Sequence, residues 1–280
     1  MAPTPAARPA TPRLDIGDAV HDGWRAFCRS PRDFVLFALL LWGLQILCQL
    51  VQSRIGTSEA LSSQPSDWIL ALLGLTAGVV VSLWGSLGMV RGALSALAGG
   101  RPSLALLCRW EGGAMSRLVL ATLLLGTIVG GSLLAIVVVV GGPLALLLQF
   151  KETAIGSGGA ATLLAIFLSL VLVLLLGLWL IGLIYFNVNQ QFLAQIALRE
   201  GLGPWATLQR GRQLADPQWP LLLLLMIVEG LLGVLGVLAC FVGFFVAWPV
   251  VVCVATAAYQ QLLGLPEGGA APSLSPADAG

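Results

Sequence analysis

The run LLLLLMIVEGLLGVLG, residues 221–236, contains a single charged side chain, that of Glu229. An acid at the centre of a membrane-spanning helix costs about 2.5–3.5 kcal/mol on insertion scales, and such residues usually face a bundle interior or a water-filled cavity. Glu229 therefore has two possible roles. It either hydrogen-bonds to another helix, which is a structural role, or it couples proton or substrate movement in a transporter.

Side-chain amides form a second group of candidate residues. Gln45, Gln49 and Gln52 recur at i, i+4 and i+7, so they make one polar stripe along a helix. Further along the chain the segment FNVNQQFLAQ carries Asn187, Asn189, Gln190, Gln191 and Gln195. Amides in a bilayer usually bond between helices, at about 0.6–2 kcal/mol each, and this is the expected role here. The alternative is a polar pathway in which Glu229 lies within reach of Gln45, Gln49 or Ser82.

Residues for covalent, acid–base or metal chemistry are few. His21 is the only histidine, and one histidine cannot build a metal site. The cysteines form no CxxC pair; they lie at positions 28, 48, 108, 240 and 253. The GSGG segment at 156–159 lacks the strand and helix that flank a phosphate-binding loop. The sequence therefore predicts no catalytic site, no metal and no cofactor, and we expect that the protein is not an enzyme.

The spacing of charged residues defines the class of protein. The chain is 58% hydrophobic and 10% charged, against about 25% charged residues in soluble domains. Long stretches lack charge entirely, or hold only Glu229 in the last case: 34–53, 68–90, 118–150, 153–198 and 217–266. A helix crosses the bilayer core with about 20 mostly apolar residues. This pattern predicts an all-α, polytopic helical membrane protein.

Six spans fit these stretches. Fifty residues of helix would be about 75 Å long, so 217–266 must fold back as two spans, with a turn near Ala239–Gly243. The break GGP at Gly141–Pro143 is expected to end the third span and leave LALLLQF at the interface. The predicted spans are 34–53, 68–90, 118–140, 160–186, 219–238 and 241–263.

Basic residues predict the orientation. With the N-terminus inside, twelve arginines fall in cytoplasmic segments, whereas only Arg54 and Lys151 fall outside. Both termini are therefore expected in the cytoplasm. Residues 1–13 and 265–280 are rich in Pro, Ala and Gly, which is typical of disordered tails that flank a membrane domain over 14–264. The net charge of +1 argues against a nucleic-acid partner.

A cytoplasmic segment precedes each pair of spans. In the first, Ile16, Val20, Trp24 and Phe27 share one helical face and Arg25 lies on the other, which predicts an amphipathic helix at the membrane interface. Asp15 is its expected N-cap. The later segments repeat this pattern, with Pro102 before Leu104 and Leu107, and with Pro204 before Trp205 and Leu208. The predicted architecture is three hairpins, each preceded by a cytoplasmic interfacial helix.

Small residues at four-residue spacing indicate close helix packing. Gly74, Gly78, Ser82 and Ser86 form such a series in the second span, and Gly126 and Gly130 repeat the spacing in the third. Small side chains let helices approach closely in lipid, where packing drives helix association. Pro249 is expected to bend the last span.

The order of these segments resembles a known group of proteins. The chain carries an amphipathic helix with a central GW (residues 23–24), then GGRPS, GPWATLQRGRQL and AWPVVVCVATAAYQQL. Over residues 14–264 this resembles an uncharacterised bacterial family of six-span proteins, which is related to the membrane domain of some glycerophosphoryl diester phosphodiesterases. The resemblance implies a topology and a bacterial inner-membrane location, but it includes no catalytic motif.

These observations lead to one functional expectation and one alternative. We expect a non-catalytic protein of the bacterial inner membrane that assists lipid or envelope processes or stabilises a membrane complex. Its expected partners are the lipid bilayer and another membrane protein or a second copy of the chain. The alternative is a small transporter or flippase that uses Glu229 with Gln45 and Gln49.

Overall fold

The computed structural model describes residues 14–56, 65–153, 159–239 and 243–264, and every regular element in these ranges is helical. Six stretches are long and apolar enough to cross a membrane: Pro31–Gln52, Leu72–Leu97, Gly112–Leu146, Thr162–Arg199, Pro204–Leu238 and Phe244–Leu262. The predicted class of a six-span helical membrane protein is confirmed. The predicted tails 1–13 and 265–280 lie outside the described residues.

Eleven α-helices follow one another within the described ranges. They are α1 (Ile16–Cys28), α2 (Pro31–Gly56), α3 (Pro65–Leu97), α4 (Leu104–Cys108), α5 (Gly112–Ile136), α6 (Gly142–Thr153), α7 (Gly159–Asn189), α8 (Leu193–Arg199), α9 (Pro204–Ala215), α10 (Trp219–Leu238) and α11 (Phe244–Leu262). A π-helical turn, Val137–Gly141, joins α5 to α6, and a 3₁₀ turn, Asp216–Gln218, precedes α10. α10 ends and α11 begins at the predicted turn.

The predicted helix break at GGP does not occur. The helix continues through the π-helical turn into α6, and the Gly142 amide bonds to the carbonyl of Val137. A proline in a regular α-helix lacks one amide donor and clashes with the preceding turn. One extra residue in a π-helical turn widens the helix at this point, and so Pro143 is accommodated without a break.

α11 lies at the centre of the packed part of the molecule. It contacts α1, α2, α3 and α10, and 61% of the residues in its apolar 18-residue stretch are buried. In the third and fourth candidate spans, only 6% of the residues in the equivalent stretch are buried. Large buried side chains share the core with α11, among them Phe34, Phe37, Met89 and Phe192, and Tyr259 of α11 is itself fully buried. The fold therefore consists of a packed unit around α11 and an outlying pair formed by α5–α6 and α7.

The contact between α2 and α3 explains the spacing of small residues on α3. Side chains of α2 enter the spaces over successive glycines, in antiparallel register: Gln52 over Gly74, Gln45 over Gly78, Leu41 over Gly85, Phe37 over Gly88 and Phe34 over Gly92. A Cβ added at Gly85 would lie 2.6 Å from Leu41, closer than real Cβ atoms come. These five glycines, the filled glycine face, let the two helices approach closely.

α1, for which the sequence predicts an amphipathic interfacial helix, packs on protein. Asp15 caps α1, accepting a hydrogen bond from the Asp18 amide at 3.1 Å, as predicted. At Gly23 an added Cβ would lie 2.6 Å from the backbone nitrogen of Val254, so α1 and α11 are in backbone contact there. The Asp15 amide donates to the side-chain oxygen of Gln261 at 3.0 Å. α1 is thereby fixed against α11 at two points.

Candidate functional site

Glu229 has a hydrogen-bond partner from another part of the fold. The Gln191 side chain, in the turn that follows α7, donates from Nε2 to Glu229 Oε2 at 3.0 Å. The second carboxyl oxygen of Glu229 and the Gln191 Oε1 atom are both buried and have no partner among the described residues. The pair joins α10 to the end of α7, and it leaves hydrogen-bonding capacity unused.

More unpartnered amides surround the end of α7. Asn189 and Gln195 are 0% and 3% exposed, and both carry buried polar atoms without a partner among the described residues. Their position follows from a close approach of α9, because a Cβ at Gly211 would lie 2.6 Å from the Asn189 carbonyl oxygen. Buried polar atoms without partners are uncommon in folded proteins. The bonded pair Gln191 and Glu229 is therefore the leading candidate for an internal polar site, and we call it, together with Asn189 and Gln195 from the same segment of the chain, the polar cluster.

The structure does not join the predicted partners Gln45 and Gln49 to Glu229. Gln45 lies over Gly78 and lines a cavity of about 180 Å³ with Ser82 and Trp248. Gln49 is exposed on the surface of α2. The polar stripe is therefore divided. Gln45 and Gln52 pack against glycines of α3, whereas Gln49 remains exposed. The amide that reaches Glu229 comes instead from the FNVNQQFLAQ segment.

The predicted interfacial residues take different positions. Phe27 is 5% exposed and packs in the core beside Phe34, so it contacts protein. Trp24 is 51% exposed and Trp205, near the start of α9, is 63% exposed. These two indoles are available to the membrane interface, where tryptophan is enriched. Arg25 is exposed and lines a polar cavity.

This polar cavity, of about 200 Å³, lies between α1, the end of α3 and the end of α11. Asp22, Arg25 and Arg29 line it from α1, and Gln260 and Gln261 line it from α11. Arg29 donates from Nη1 to the carbonyl of Ala96, at the last turn of α3. A cation at a helix C-terminus is stabilised by the carbonyls there, so Arg29 is held in place. We call this site the cationic cavity.

Arg91 forms a network that the sequence did not reveal. Its side chain is 10% exposed, and Nε lies 3.2 Å from the Glu111 carboxylate. Nη1 donates to the carbonyls of Leu106 and Arg109, at 3.2 and 2.7 Å. The network fixes the α4 segment against α3. A single arginine at the cytoplasmic end of a predicted span was the only signal for it.

A second network joins α8, α9 and α11. Arg210 Nε donates to Glu200 Oε2, and the Tyr259 hydroxyl donates to Glu200 Oε1, each at 2.9 Å. Tyr259 is fully buried and stacks near Phe192, with ring centroids 5.7 Å apart. Glu200, which lies between α8 and α9, thus connects this segment to the central helix α11. No spacing in the sequence links residues 200, 210 and 259.

Metal chemistry finds no support in the described part of the chain. Within it, no group of three or more His, Cys, Asp and Glu side chains could hold a metal ion. His21 Nδ1 lies 3.8 Å from the carboxylate of its neighbour Asp22, and its side chain is 62% exposed. The arrangement at the polar cluster can donate and accept hydrogen bonds, but it contains no nucleophile paired with a base.

Comparisons with family models, with curated proteins and with solved structures give no match for this chain. The resemblance to the six-span bacterial family therefore stays a prediction.

Proposed function

We propose that this protein is a non-catalytic accessory protein of the bacterial inner membrane that binds a transmembrane helix of another membrane protein through α5. The observation that carries the proposal is the contrast between two glycine series. The filled glycine face on α3 is occupied by α2 along its length. Gly126 and Gly130 on α5, the open glycine face, meet nothing within 4 Å among the described residues.

The bilayer determines what drives two helices together. Lipid chains are as apolar as leucine, so helices associate in a membrane through close packing rather than through the hydrophobic effect. Glycine also lowers helix propensity by about 1 kcal/mol relative to alanine. The buried residues of α5 lie in its first half, where it packs on α3, α8 and α9. The pair of glycines one turn apart, further along the same helix, is uncovered and is therefore suited to receive a second helix. Leu123 and Leu134, which are strongly exposed, flank the open glycine face along α5.

Orientation belongs to the same proposal. The twelve-to-two distribution of basic residues supports cytoplasmic termini, with three hairpins inserted from that side. The packing of α2 on α3, of α5 and α6 on α7, and of α10 on α11 is compatible with three hairpins. In this orientation the Arg91 and Glu200 networks are cytoplasmic, where polar groups can be solvated. The open glycine face then lies within the bilayer.

Photo-crosslinking tests the partner. A photoreactive amino acid at Leu134 lies on the face of Gly126 and Gly130, because i, i+4 and i+8 share one side of a helix. In the native host membrane we expect one discrete crosslinked protein, which is lost when both glycines are replaced by leucine. The control is the same amino acid at Leu72 on α3, which is equally exposed and lies far from α5 in sequence. We expect no protein adduct there.

Each other outcome has a definite meaning. An adduct of twice the chain mass identifies a second copy of the chain as the occupant and contradicts a separate partner protein. Adducts with lipid alone at both positions contradict the accessory function. Loss of the Leu134 adduct must also occur without loss of protein, which quantitative immunoblotting of the membrane fraction verifies.

A transporter is the second candidate, and the polar cluster favours it. Glu229 is a carboxylate within a candidate span, with one oxygen bonded to Gln191 and the other unpartnered. Such residues commonly mark proton or substrate paths. No arginine of the described spans is bonded to it, which leaves the carboxyl available for proton exchange.

Proton flux in proteoliposomes tests this candidate. If the cluster conducts or couples protons, a potassium diffusion potential produces proton uptake that an entrapped pH dye detects, and Glu229→Gln abolishes it. Gln45→Leu is the matched control, because it removes a membrane amide outside the polar cluster, and its flux should equal that of the wild type. Flux equal to that of empty liposomes, with a lowered melting temperature for Glu229→Gln, would assign the carboxyl a structural role.

A further inference from the structure

The cationic cavity lies where three candidate spans end. Pro31 begins the first span two residues after Arg29, Leu97 ends the second, and Leu262 ends the sixth. Leu97 lines the cavity, as do Arg29 and Gln261. Charged residues near these ends, such as Arg32 and Arg91, mark where the hydrocarbon core gives way to the polar headgroups. The cavity is therefore at the depth of lipid headgroups.

Both signs of charge line this cavity. Arg25 and Arg29 are cationic, and neither of them forms an ion pair with another described residue. Asp22 lies on the same side of α1 as both arginines, because i, i+3 and i+7 share one helical face. Gln260 adds an amide from α11. The set combines two guanidinium groups, one carboxylate and neutral hydrogen-bonding groups.

We propose that the cationic cavity binds a phosphoethanolamine group, in which one phosphate diester is linked to a primary ammonium. Arg25 and Arg29 hold the phosphate, since guanidinium groups bind phosphate oxygens in a planar, bidentate manner. Asp22 binds the ammonium. A purely anionic group would leave its negative charge facing the Asp22 carboxylate, whereas a zwitterion satisfies both signs. This inference does not depend on the partner proposed for α5.

Arg29 and Arg25 have separable parts in the proposed site. Arg29 is already fixed by its bond to the Ala96 carbonyl, so one of its nitrogens is committed to structure. Arg25 has no described bond within the protein, and its guanidinium is free to turn toward a ligand. Trp24, next to it and half exposed, is placed to contact the glycerol and upper acyl region of a lipid. The site therefore fits the headgroup of a phosphoethanolamine lipid. A soluble phosphodiester that carries the same phosphoethanolamine group is the other possible ligand.

Native mass spectrometry of the detergent-solubilised full chain tests the proposal. The protein is titrated with phosphatidylethanolamine, phosphatidylglycerol and phosphatidylcholine of identical acyl chains. We expect the ethanolamine lipid to bind about tenfold more tightly than either of the others, the size expected for one charge-assisted hydrogen bond. Soluble glycerophosphoethanolamine is the second arm. Competition at equal concentration identifies the free diester as the ligand, and failure to compete identifies the lipid.

Three variants assign the residues. Arg25→Gln should weaken binding of all three lipids about tenfold, because it removes a phosphate contact. Asp22→Asn should leave phosphatidylglycerol binding intact and abolish the preference for ethanolamine over glycerol. Arg212→Gln, which removes an exposed arginine of α9, is the charge-matched control and should bind as the wild type does. Circular dichroism and thermal unfolding of each variant verify that the fold is retained.

Two outcomes would overturn the proposal. The first is equal affinity of the wild type for the three lipids. The second is a preference for ethanolamine that persists in Asp22→Asn, or an unchanged affinity for all three lipids in Arg25→Gln, while both variants retain the thermal stability of the wild type.

Discussion

Replacing Gly88 by leucine is expected to destabilise the folded protein by about 3 kcal/mol or more, at the upper end for overpacked cores. A Cβ at this position would lie 2.5 Å from the Leu107 carbonyl oxygen and 2.6 Å from the Phe37 ring. One of these neighbours is backbone and the other is a fully buried aromatic side chain, so neither can move aside without displacing α2 or α4. A loss of this size is a large part of typical domain stability.

Gly43→Leu is the matched control. It makes the same substitution on α2, where an added Cβ meets nothing within 4 Å among the described residues. Leucine also has a higher helix propensity than glycine, so the control should be neutral or stabilising by about 1 kcal/mol. Thermal unfolding in detergent, followed by tryptophan fluorescence, measures both variants. Equal midpoints for the two would contradict the close approach of α3 to α2 and α4.

Arg91→Met is expected to cost about 2–4 kcal/mol, even though methionine retains much of the apolar stem. The change leaves Glu111 without its counter-ion and removes the donor that serves the carbonyls of Leu106 and Arg109. Glu111 is one-third exposed and can be partly rehydrated, so most of the cost comes from the two carbonyls. The segment before α5 should lose its fixed position, and limited proteolysis between residues 98 and 112 should become faster.

Arg109→Met provides the comparison. This variant also removes one arginine charge from the same segment. The Arg109 side chain, however, is exposed, and only the Arg109 carbonyl takes part in the Arg91 network. Its stability and its proteolysis rate should match those of the wild type. If both variants were equally stable, the buried position of Arg91 would be wrong. A double variant, Arg91→Met with Glu111→Gln, should recover part of the loss because no unpaired carboxylate remains.

The positions of the spans were predictable because long uncharged stretches must be covered by lipid or by protein. The bounds were less so. α3 continues past Arg91 to Leu97, and α5 begins at Gly112, before Arg117. A charge marks where hydrocarbon ends, but it does not end a helix, since a helix continues readily in water or against protein. At Pro143 a π-helical turn replaced the predicted break.

The candidate sites were harder to predict, because they depend on which distant residues meet. The helical spacing of Gln45, Gln49 and Gln52 predicted a shared face, but the choice of Gln191 as the partner of Glu229 required the tertiary arrangement of α7 and α10. Gly85, Gly88 and Gly92 could have been found, since their spacing of three and four residues is also helical. The Arg25 side chain was correctly placed on the polar face of α1, whereas its cavity depends on α3 and α11.

The unequal lengths of the helices have a consequence for the surrounding bilayer. α7 has 31 residues and is about 46 Å long, whereas α10 has 20 and is about 30 Å long. A hydrocarbon layer of about 30 Å matches α10, whereas α7, which carries no charged residue along its length, is expected to tilt or to thicken the lipid beside it. We therefore expect the annulus to be deformed beside the outlying pair. Thicker bilayers would relieve that deformation, so membrane thickness itself should bias the tilt of the outlying pair and the access of other helices to α5.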